Sequence, residues 1–73
     1  MKLKECLEFG KELGFKTVTE AYSNVDMHRL NMFKYDEVVD EMNEITLEFN
    51  ELYHKGLIKG DMLIEDALRL DLR

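Results

Sequence analysis

Two parallel stripes run along residues 36–53. Val38, Met42, Ile45, Phe49 and Leu52 are spaced 4, 3, 4 and 3 apart, and Glu37, Glu41, Glu44, Glu48 and Glu51 precede them by one residue at each step. At about 3.6 residues per turn both sets become lines along one helix, the first apolar and the second anionic. The pattern predicts a helix over about 36–54, with its apolar line buried and its acidic line facing water or a basic partner. Asp36 and Glu37 suit a positive helix N-terminus, and His54 and Lys55 suit the negative end. Gly56 is a stop signal, with Leu57 and Ile58 as the apolar contact after it.

The same periodicity organises the rest of the chain. A first helix is expected over about 2–13, with Leu3, Cys6, Leu7, Gly10 and Leu13 inward and Phe9 on the flank. Gly14 fits the left-handed stop position, and Phe15 can fold back on the last turn. Gly10 costs about 1 kcal/mol relative to Ala inside a helix, so its reading is close approach of a second helix. Thr17, Val18, Thr19 and Glu20 form a capping box that opens a second helix over about 18–32. Its inner stripe is Val18, Ala21, Val25, His28 and Met32, broadened by Tyr22. Asn24, Asp26, Arg29 and Asn31 are expected outside, and Met27 and Leu30 lie off the main stripe. A short connection at 31–34 brings in Phe33 and Tyr35 as apolar plugs. A short C-terminal helix is expected over about 61–71, with Asp61 as N-cap and Leu63, Ile64, Ala67, Leu68 and Leu70 inward. The fold class is therefore all-α: a single domain over 1–73, built as a small bundle of three main helices plus a short fourth, with the third as the spine.

Composition adds limits. A chain of 73 residues buries only about 60% of the surface its unfolded form exposes, so stability is marginal and self-association is a ready way to bury more. No apolar run approaches the ~18 residues of a membrane span, and residues 1–6 lack the apolar core of a secretory leader. One cysteine makes no internal disulfide, so a reduced, cytoplasmic setting is expected. The net charge of −6 is uneven: residues 1–34 hold six basic and five acidic side chains, residues 35–73 four basic and eleven acidic. A net negative chain repels nucleic acid, while the asymmetry lets the two halves attract each other.

The acidic line is the first candidate for function. Like charges at i, i+4 disfavour a helix by about 0.2–0.5 kcal/mol per pair. Glu37/Glu41, Asp36/Asp40, Asp40/Glu44 and Glu44/Glu48 are four such pairs. One reading is a docking surface, made by Glu37, Asp40, Glu41, Glu44, Glu48 and Glu51, for a basic protein partner. A second is imitation of a phosphate row, to occupy the nucleic-acid site of another protein. The plain alternative is a solvated face partly neutralised by Lys2, Lys4, Lys11 or Arg69. Metal binding is not expected, because no Gly-containing oxygen-rich loop is present to wrap a hard cation.

Other features are weaker. The Leu13-Gly14-Phe15 turn suits a helix-turn-helix DNA-binding regulator, but residues 19–24 offer no Arg or Lys where bases and phosphates are met, so no direct nucleic-acid contact is expected. His28 is expected as a buried, hydrogen-bonded core residue. It and Cys6 could approach each other, but a zinc site needs further ligands. There is no Gly-rich phosphate loop, Cys-x-x-Cys pair or Ser-centred elbow, so neither enzyme activity nor a cofactor is expected. Met32, Phe33, Tyr35, Met42, Phe49 and Tyr53 are read as core, with any exposed remainder as an interface. Met27 and Leu30 are the candidate seam of a homodimer.

Residues 5–21, from Glu5-Cys6-Leu7 through Gly14-Phe15-Lys16-Thr17 to Ala21, resemble small uncharacterised helical proteins of bacteriophages and prophages of Gram-positive bacteria. So do Asn24-Val25-Asp26-Met27-His28 and Phe33-Lys34-Tyr35-Asp36-Glu37. The resemblance covers about 4–52 and implies a cytoplasmic accessory protein made in an infected or lysogenic cell; it carries over no activity and no functional residue. The expectation is thus a non-enzymatic protein–protein interaction module, with an acidic nucleic-acid mimic as the alternative and a helix-turn-helix regulator behind both.

Overall fold

Two glycines punctuate the chain where the polarity pattern expects stops. In the computed structural model, which describes residues 2–72, Gly14 has φ 95° and Gly56 φ 74°. Each is the left-handed residue of a Schellman turn. Phe15 N donates to Gly10 O and Gly14 N to Lys11 O, closing α1 (Leu3–Glu12). Leu57 N donates to Leu52 O and Gly56 N to Tyr53 O, closing α3 (Tyr35–His54). Between them α2 (Val18–Met32) is joined to α3 through Phe33 and Lys34, both extended. The chain is helical as expected and α3 runs unbroken over 36–53, with no named strand among the described residues.

The C-terminal helix is shorter than its pattern suggests. α4 spans Ile64–Ala67, and its N-cap is Leu63, not Asp61. Residues 60–63 are engaged elsewhere. The first amides of any helix lack intrahelical partners, and at α2 the tail supplies them: Val18 N donates to Met62 O at 2.9 Å and Thr19 N to Gly60 O at 3.0 Å. The Thr17 hydroxyl accepts from Glu20 N, so the first three amides of α2 are all satisfied. Ile64 N returns a bond to Lys16 O, and Thr17 pairs with Leu63 in an isolated antiparallel bridge. Held in this bridge, Leu63 stays half exposed at 48%, not inward as its spacing implies.

The core joins Leu3, Cys6 and Leu7 of α1, Val18, Ala21 and Val25 of α2, Ile45 of α3, Ile58 of the connection and Ile64 and Ala67 of α4. Gly10 lets α1 and α2 meet: a Cβ built there would lie 2.5 Å from Ala21 Cβ. α1 and α2 each pack on all three other helices, whereas α4 packs on α1 and α2 and does not meet α3. The centre of the bundle is therefore the α1–α2 pair, not the longer α3. α3 fully buries only Val38 and Ile45, with Met42, Phe49 and Leu52 half-buried.

Three expectations for the inner stripes need correction. Leu13 lies past the end of α1 and is exposed. Met32 is exposed for a related reason. It is the last residue of α2, where the chain leaves the helix through extended Phe33. His28 is exposed as well, its ring edge-on to Phe9 of α1 at 6.2 Å between centroids.

Candidate interaction surface

The five-member glutamate line of α3, with Asp40 beside it, divides in two. A step of four residues turns a side chain by about 40° and a step of three turns it back by about 60°, so a 4, 3, 4, 3 spacing is a zigzag. Glu41 and Glu48 fall on the side nearer the core and are half-buried, whereas Glu37, Asp40, Glu44 and Glu51 are exposed.

Glu41 meets α2. Arg29 Nη2 donates to both carboxylate oxygens at 2.7 Å and Nε to Oε2 at 3.1 Å, with the two side chains only 19% and 26% exposed. The guanidinium also lies 4.1 Å from the centroid of the Phe33 ring, a cation–π contact. Arg29 was expected outside; the tight connection to α3 turns it inward. Positions 29 and 41 are equidistant from Tyr35, and an antiparallel hairpin places equidistant residues side by side, a signal present in the spacing. On the other flank the Tyr22 hydroxyl is hydrogen-bonded to Thr46, and the Tyr22, Phe49 and Tyr53 rings follow one another at 6.2 Å.

Glu48 is placed differently. Its Oε2 is buried with no hydrogen-bond partner among the described residues. The side chain lines a surface cleft of about 480 Å³ with Glu51, Leu52, Lys55, Leu57, Asp71 and Leu72.

The lysines and arginine expected to neutralise the acidic line do not reach it. Lys11 lies 3.9 Å from Glu65 and Arg69 3.7 Å from Asp66, so both serve the α4 region. Among the described residues, Lys2 and Lys4 form no ion pair, and no Lys or Arg lies within ion-pair distance of Glu37, Asp40, Glu44 or Glu51. Among the described residues, the outer face of α3 is thus an uncompensated anionic line, and it includes the exposed apolar Leu47.

Apolar side chains emerge at the α2–α3 corner. Met27 is 64% exposed and Leu30 41%, and Met32, Phe33 and Tyr35 are exposed beside them. Met32, Phe33, Tyr35 and Tyr53, read as core from their spacing, lie instead on the surface. Cys6 is buried; removal from water, with a lesser contribution from the charge of Asp26, pushes its thiol pKa up to about 11. His28 lies outside this core, and among the described residues no group of three or more His, Cys, Asp or Glu side chains could hold a metal ion. No helix among these residues is long and apolar enough to cross a membrane. Comparison with protein-family models, with curated proteins and with solved structures finds no match for this chain.

Proposed function

We propose that the protein is a non-enzymatic protein–protein interaction module that presents the outer face of α3 to a basic protein partner. The observation that carries this reading is the line of exposed carboxylates Glu37, Asp40, Glu44 and Glu51 on the unbroken helix α3, with no ion-pair partner among the described residues. Such a line costs helix stability through like-charge repulsion, and a cationic partner would relieve that cost. Electrostatic complementarity of this kind speeds encounter and selects partners more than it adds raw affinity. The resemblance to phage and prophage proteins fits an accessory role in the cytoplasm of an infected or lysogenic cell.

Mimicry of a phosphate row is the second reading, and the zigzag weighs against it. With Glu41 neutralised by Arg29 and Glu48 turned inward, four exposed charges remain over residues 37–51, a rise of about 21 Å. That is about one charge per 5 Å, sparser than the ~3.4 Å axial repeat of one nucleic-acid strand. A helix-turn-helix reading has less support still, because the first turn of α2, which would enter a groove, is occupied by residues 60–63.

The test uses the whole chain as bait in a bacterial lysate at low and high salt, beside the variant Glu37→Lys/Glu44→Lys/Glu51→Lys. Proteins retained by the wild type at low salt are expected to be lost from the variant. An unchanged set of retained proteins would sink the proposal. Release of a retained protein by duplex DNA would shift the reading to the mimic.

A further inference from the structure

We draw no further inference here: the strongest candidate, the cleft at the C-terminal end of α3 where Glu48, Glu51 and Asp71 lie among Leu52, Leu57 and Leu72, is an acidic cluster continuous with the anionic face already described, its Glu48 is only half-buried, and nothing in the structure shows what would occupy it.

Discussion

α1 and α3 carry the same kind of apolar stripe and pack on each other, yet they bury it to very different degrees. α1 is ten residues long, packs on every other helix and buries four positions completely. α3 is twice that length and buries two. The difference lies in what faces each stripe. Gly10 lets Ala21 of α2 approach until the backbones nearly touch, and the tail adds Ile58, Ile64 and Ala67 on the same side. The α3 stripe is flanked by carboxylates and covered by α1 and α2 only along one side, so its outer half remains in water. Length predicts how far a helix reaches, and close approach decides how much it holds.

Substitutions at three positions probe this contrast. The largest effect is expected at the tight contact. Gly10→Val forces branched carbon into space already held by Ala21, and a loss of about 3 kcal/mol in urea unfolding is expected. A change below ~1 kcal/mol would show that α1 and α2 can separate easily, and the contrast with α3 would collapse. An intermediate effect is expected at the joint between α2 and α3. Arg29→Ala removes the forked hydrogen bonds to Glu41 and the cover over Phe33, and should cost about 1.5–3 kcal/mol, read as a lower midpoint with little change in slope. The smallest effect, and the one of opposite sign, is expected on the outer face. Glu44→Gln removes like-charge pairs with Asp40 and Glu48 and should raise stability by about 0.5 kcal/mol at low salt, with the gain fading as salt is added. A loss there would mean that Glu44 has a favourable partner, and that the outer face is not idle in the free protein.

The three long helices were legible from the chain alone because each carries local signals: a stripe at helical period, Thr17 at one start, Gly14 and Gly56 at two ends. Gly10 was legible too, since glycine inside a helix invites a neighbour. What escaped was set by neighbours distant in sequence. The spacing from Asp61 to Leu70 satisfies a helix, but open amides of α2 recruit carbonyls of 60 and 62 and leave only Ile64–Ala67 to coil. Met32 and His28 have core spacing, but no neighbouring element covers them. Arg29 read as an outer residue because polarity, not hairpin register, decided its side. At the candidate surface, the line of acids was plain in the sequence. Its division into two inward and four outward members required the rotational phase of α3 against the core, which a spacing of 4, 3, 4, 3 leaves open.

The bonds from Val18 and Thr19 to Met62 and Gly60 have a consequence for how the chain acquires its shape. They span more than forty residues, so the first amides of the second helix lack these backbone partners until residues 60 and 62 have left the ribosome. Secondary structure can flicker in the nascent chain, but locking the start of α2 requires a late segment to return to an early one, a contact of long sequence separation that slows folding.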